Sequence, residues 1–220
     1  RGALSSVLNA FTWDNREHLE KDSRDESPAK NILKIEQDIP EDNSVEYPIA
    51  FDDEYLQPNS VIDSQNVYVV HTAKQIADTE KRAYVVALKL RDWVNEHIRD
   101  KTMDVGFASA SQTLNSKEGD CTEHAVLLAA LLRSLGIPAR VAVGLIYQPQ
   151  EGSEFGNFVF HMWTEAYLGQ SYGGKSQWVA LDATMPEHPV DATHLKIADS
   201  SLANPADWMR LTQKVSALTG

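Results

Sequence analysis

Between residues 83 and 98 apolar positions return at three- and four-residue steps: Ala83, Val86, Ala87, Leu90, Trp93, Val94, His97 and Ile98, with charged residues between them. That spacing predicts an amphipathic helix ending near Asp100, its stripe buried against a neighbouring body. A helix of another kind is predicted after it. From Ala125 to Leu135 the chain is apolar on nearly every face, the pattern of a helix enclosed by protein. Asp120 suits its N-cap and Glu123, three positions on, completes a capping-box pattern. Gly136 is placed for a left-handed C-cap, and Pro138 prevents continuation.

The period then changes. Residues 139–147 are apolar on both faces, as in a strand central to its sheet. Residues 158–168 alternate, sending His161, Trp163, Glu165 and Tyr167 to one face, and residues 177–182 do the same with Trp178, Ala180 and Asp182. The connecting loops are short enough for an antiparallel meander and too short for parallel crossovers. A further strand is predicted over 194–198, then a short helix opened by Asn204 as cap with Pro205 at its first position. Upstream, Val67-Tyr68-Val69-Val70 reads as a short strand and residues 103–115 as a polar connection.

The first part of the chain is different in composition. Residues 13–54 hold 14 Asp or Glu against 5 Lys or Arg, most of the excess behind a net charge of −12 over 220 residues. Runs such as 22–26 look like solvated loop, whereas residues 3–11 and 32–35 suit a helix and a strand lying on the main body. This divides the chain into an acidic N-terminal extension, 1–74, and a main domain, 75–220. The charge argues against a nucleic-acid partner and against adsorption to anionic membranes. No apolar run approaches the roughly 18 residues that span a bilayer, so no membrane insertion is expected. Because the chain opens on Arg1, a processed protein or a segment of a longer one is compatible with it.

Chemistry concentrates on Cys121, which stands alone of its type and forms no internal disulfide. A lone cysteine is commonly an inert, buried small hydrophobe. Three features favour a nucleophile here. The residue opens a helix, where unpaired amides and the helix dipole favour thiolate. Gly119 allows a sharp turn and leaves room near the sulfur. A histidine and an aspartate follow on adjacent predicted strands, as a base and its orienting carboxylate would. By contrast, Glu123 is explained by the cap and His124 by packing, and no metal-ligand spacing is present. Arg140 suits an internal ion pair, and Trp163 either a cleft wall or packing on the central helix. His188 and His194 have no matching partner in this reading.

Gly119-Asp120-Cys121, the apolar helix, Leu-Gly-Ile-Pro-Ala-Arg (135–140), His161-Met162-Trp163 and Trp178-Val179-Ala180-Leu181-Asp182 together resemble the bacterial transglutaminase-like superfamily. The resemblance covers about residues 88–184. It implies an α+β domain of papain-like fold, with a central buried helix packed on an antiparallel sheet. It also implies a triad of Cys121 as nucleophile, His161 as base and later acid, and Asp182 as the residue that orients His161. The chemistry implied is thiol acyl transfer on protein or peptide amides through a thioester, ending in cross-linking, deamidation or peptide hydrolysis. No cofactor and no metal are expected. The backbone amide of Cys121 is a natural oxyanion donor, and Gln112 is considered for a second. The alternatives are a non-catalytic peptide- or partner-binding module and, with no ligand-spaced motif behind it, a metal hydrolase.

Overall fold

The computed structural model describes residues 17–21, 31–35, 45–51, 53–100, 107–152, 156–170, 176–186, 190, 192–204 and 206–219. Residues 3–11 and 22–26, read above as a helix and a solvated loop, lie outside them, as does His188. Strands β1 (Glu17–Lys21) and β2 (Asn31–Ile35) form an antiparallel pair, in agreement with the strand expected at 32–35.

The main body is built around one helix. Helices α1 (Val67–Ala77), α2 (Ala83–His97) and α3 (Ala110–Ser116) pack on α4 (Cys121–Ser134) from one side. From the other, it meets a sheet of β3 (Ala139–Gln148), β4 (Asn157–Gln170), β5 (Ser176–Leu181) and β6 (His194–Ser200). As the apolar run predicts, every residue of α4 from Thr122 to Arg133 is buried. Both halves of the Asp120–Glu123 capping box are formed. At the other end the Gly136 amide donates to Arg133 O and the Ile137 amide to Leu132 O. This is the double bond pattern of a helix closed by a left-handed residue, and Gly136 has φ +80°. Buried Arg133 then donates to the carbonyls of Ala139, Gln57 and Ser201, tying the helix end to β3 and to the chain beyond β6.

Sheet order is β5-β4-β3-β6, with every neighbouring pair antiparallel. The meander β3-β4-β5 is the expected one. Strand β6 returns to the free edge of β3, which makes β3 central. Thr164 on β4 donates through Oγ1 to Ala125 O of α4 at 2.9 Å, fixing which face of the sheet meets the helix. Helix α5 (Asp207–Thr219) closes the chain against β6 and β3, with Trp208 stacked on Phe107. It begins two residues later than Pro205 suggests and runs for 13 residues. No helix among the described residues is long and apolar enough to cross a membrane.

Two local readings are corrected. Val67-Tyr68-Val69-Val70 opens a helix, not a strand: Asn66 caps it through Oδ1 to the Tyr68 amide, and Val69, Ala73 and Ala77 form its buried stripe. This helix straddles the boundary drawn between residues 74 and 75. The connection before Cys121 contains α3, which has a capping box of its own from Ser109 and Gln112.

Candidate active site

Cys121 is the first residue of α4 because Asp120 caps the helix immediately before it. Asp120 Oδ1 accepts the Thr122 amide at 2.8 Å, and Glu123 Oε2 accepts the Asp120 amide at 3.0 Å. Glu123 Oε1 also takes the Ala108 amide, fastening the chain ahead of α3 beside the helix start. The Gly119 requirement is steric and conformational. Its φ is +152°, and a Cβ there would sit 2.3 Å from Glu123 Cβ. The space left by the missing side chain is therefore filled by the capping glutamate and not by room for a substrate. His124 is fully buried and donates from Nδ1 to Asp120 O at 2.6 Å, the packing role expected of it.

The side chains of Cys121, His161 and Asp182 meet, although 40 and then 21 residues separate them in the chain. Cys121, half-buried, stands beside His161, close enough to favour the charged form of its ring. The other partner of His161 is Asp182, just past the end of β5, which accepts from Nε2 through Oδ2 at 2.7 Å. With Nε2 committed to the carboxylate, Nδ1 is the ring nitrogen left to face the sulfur. Burial works against a charged His161 ring. The hydrogen bonds to Asp182 and Cys121 and the negative charge of each outweigh it, raising the imidazole to about 9. Burial pushes the Asp182 carboxyl upward, but hydrogen bonds from His161 and His194 and their charges hold it well below the usual carboxylate range.

His194 is the residue that sequence reasoning missed. From β6 it donates through Nε2 to the same Asp182 Oδ2, at 3.1 Å, and is as deeply buried as His161. Its alternation with Lys196 along a strand was readable, but not the docking of that strand beside β3. Asp182 Oδ1 meanwhile accepts the Thr184 and Met185 amides at 2.7 and 3.3 Å.

The reach across the sheet depends on Gly144. In register it lies between His161 on β4 and Lys196 on β6, next to a bulge, and a Cβ there would sit 2.0 Å from Leu195 O and 3.0 Å from the Trp163 ring. With no side chain on the middle strand, groups of β4 and β6 meet over it. Lys196 crosses the same way to Glu165 at 2.8 Å, where Arg140 also pairs at 2.8 Å, and Asp199 completes a cluster of two cations and two anions in which Lys196 and Glu165 are buried and Arg140 and Asp199 partly so. Arg140 is thus paired inside the domain, and its guanidinium lies over the Trp178 ring at 4.1 Å. The Trp163 ring is T-shaped to His194 at 5.3 Å and stacked beside His161. Gln112 is exposed, and its carboxamide oxygen accepts the Ser109 amide in the α3 cap.

One group of potential metal ligands occurs among the described residues: His161, Asp182 and His194, with ligand atoms within 4.8 Å of one another. Nitrogen–oxygen separations of 2.7 and 3.1 Å are hydrogen-bond distances with a proton on each Nε2, so the arrangement suits a shared carboxylate better than a shared ion.

The family model of the transglutaminase-like superfamily matches residues 70–183. No curated protein matches the chain in sequence. Among solved structures, a candidate cysteine protease from Cytophaga hutchinsonii aligns at 24% identity and TM-score 0.58, covering 72% of this chain and 51% of that one, which shows a common fold. The periplasmic domain of TgpA from Pseudomonas aeruginosa aligns at 22% identity and TM-score 0.45, covering 64% of this chain and 52% of that one in its ethylmercury-bound form. Red sea bream transglutaminase aligns at 16% identity and TM-score 0.44, covering 68% of this chain and 34% of that one. The chain spans about half the length of the first two structures.

Proposed function

The chain belongs to the transglutaminase-like superfamily, and from that premise we propose that it is a thiol acyl-transfer enzyme acting on protein or peptide amides. The observation that carries the proposal is the meeting of Cys121, His161 and Asp182, brought together from α4, β4 and the end of β5, with His161 Nε2 donating to Asp182 Oδ2 at 2.7 Å. Nothing in local folding requires a buried imidazole between a thiol and a carboxylate; acyl transfer does.

In the proposed reaction the Cys121 thiolate attacks the amide carbon, and the carbonyl electrons move to oxygen. The backbone N–H of Cys121 at the helix start is the donor proposed for that oxyanion, aided by the positive end of the α4 dipole. His161 gives its Nδ1 proton to the departing nitrogen, the C–N bond breaks, and ammonia or an amine leaves a thioester on Cys121. Neutral His161 then takes a proton from an incoming amine or water, whose attack on the thioester releases product and restores the thiolate. Asp182 holds the ring in the tautomer that points Nδ1 at sulfur and stabilises the imidazolium.

Iodoacetamide labelling across a pH series tests the pair directly. The expected result is faster alkylation of Cys121 in the wild-type chain than in His161→Ala, as a thiolate paired with an imidazolium gives. A thiol that stays inert until high pH defeats the enzyme reading and leaves a peptide- or partner-binding module in its place. Incubation with a glutamine-rich protein and a labelled primary amine then assigns the outcome. Incorporated label means transfer, ammonia without label means deamidation, and new peptide termini mean proteolysis.

A further inference from the structure

We propose that His194 is a positioning residue of this site: by sharing Asp182 Oδ2 with His161, it keeps the His161 imidazolium acidic enough to protonate the departing amine. This rests on the catalytic reading of Cys121, His161 and Asp182.

The geometry separates holding the carboxylate from sharing it. Asp182 offers about four acceptor positions, and four donors fill them. The amides of Thr184 and Met185 occupy Oδ1, and the Nε2–H groups of His161 and His194 occupy Oδ2. Two backbone amides already fix the carboxylate, so its orientation does not depend on His194. What His194 takes is part of the negative charge on the one oxygen that faces His161. The ionisable groups facing His161 among the described residues are Cys121 from α4, Asp182 from the end of β5 and His194 from β6, and Trp163 on its own strand is neutral. Cys121 and Asp182 both favour the imidazolium. His194 is the group placed to oppose them.

That opposition has a use. Amide acylation needs His161 as an acid, and an imidazolium held too tightly by a thiolate and an undivided carboxylate gives up its proton reluctantly. An ester with a good leaving group needs no such proton. Loss of His194 therefore has different consequences for the two substrate types, whereas general loosening of the site slows both.

The test uses the whole chain with His194→Phe, which replaces the donor by an apolar ring, and His194→Gln, which keeps an amide N–H near the position of Nε2. His194→Asn retracts the donor and stands in if the phenylalanine variant does not fold, as judged by circular dichroism and thermal melting. The His161 ring is titrated by NMR with labelled histidine, and turnover is measured on a peptide amide and on the matching activated ester. In His194→Phe the His161 titration is expected to move upward by about half to one pH unit, a roughly three- to tenfold gain in proton affinity. Amide turnover is expected to fall about tenfold and ester turnover less than about twofold; His194→Gln should recover most of both. An unmoved His161 titration, equal losses on both substrates, or no recovery with glutamine overturns the inference. If the wild-type chain turns over neither substrate, the catalytic reading fails by itself, and the NMR titration still decides whether His194 shares the charge of Asp182.

Discussion

At the scale of single residues, the site is a contest between burial and partners, and His161 shows which wins. Burial alone would keep the ring neutral, yet Asp182 on one side and the negative sulfur of Cys121 on the other raise it to about 9. Amide turnover is therefore expected to fall on the alkaline side with a midpoint near 9, as the acid that serves the leaving group is lost; a midpoint near 6.5 would mean that His161 is not held by these partners. The same shift bears on stability. The folded value lies above the unfolded one of about 6.5, so the contribution of His161 is complete below about 6.5 and disappears as pH rises through 9. Asp182 runs the other way: its folded value is depressed, so its contribution is present above about 3.9 and lost on acidification. Urea unfolding between pH 4 and 10 should show stability declining on the alkaline side, and His161→Gln should flatten that decline. That Cys121, His161 and Asp182 come together was legible because each stands in a stretch that resembles the superfamily. His194 was not, since its meaning depends on a carboxylate that reaches it only through the sheet.

At the scale of elements, the folding code was read best where one segment carried several signals that agreed. Helix α4 has an apolar interior, a capping box and a glycine stop, and all three stand in the structure. Helix α1 was misread because Val-Tyr-Val-Val looks like a strand in a four-residue window; its helical stripe of Val69, Ala73 and Ala77 shows only over the whole 11-residue helix. Helix α3 was overlooked at seven residues, too short for periodicity, although Ser109 and Gln112 already spelled its cap. Gly144 carries more than its single atom suggests, because it clears the path by which β6 reaches β4. Gly144→Ala would press a methyl group onto Leu195 O, at 2.0 Å before relaxation. The expected cost is about 1–3 kcal/mol, the usual range for overpacking, measured by denaturant unfolding. Activity should drop further than that loss of folded protein explains, since the strand pushed away is the one that carries His194. A variant as stable and as active as the parent would mean that β6 can shift without consequence.

At the scale of the whole molecule, the arrangement that matters is an apolar core on one side of the sheet and a polar, almost dry face on the other. The sequence pointed to the core and to the β3-β4-β5 meander, whose loops are short. It did not place β6, because a strand at the end of a longer connection can join either edge, and only packing decides. Once β6 lies beside β3, Lys196 and Asp199 meet Arg140 and Glu165 in a cluster where Lys196 and Glu165 are nearly inaccessible to water. Burial opposes the charge on Lys196 and on Arg140, but Glu165 and Asp199 raise both above their ordinary values. Such a cluster contributes less to stability than its short distances suggest, since four charges leave water to form it, and its sensitivity lies in its balance. Glu165→Leu leaves two cations facing one carboxylate and is expected to cost about 3–5 kcal/mol. Adding Lys196→Met restores one cation to one anion, Arg140 with Asp199. The double variant should therefore be more stable than Glu165→Leu alone, with a coupling of about 1–3 kcal/mol in a double-mutant cycle followed by urea unfolding. Additive losses would mean that each side chain acts by packing alone. Coupling would show that the pairing of Lys196 with Glu165 helps to hold β6 on the sheet, and with it His194, two residues before Lys196, against the carboxylate of Asp182.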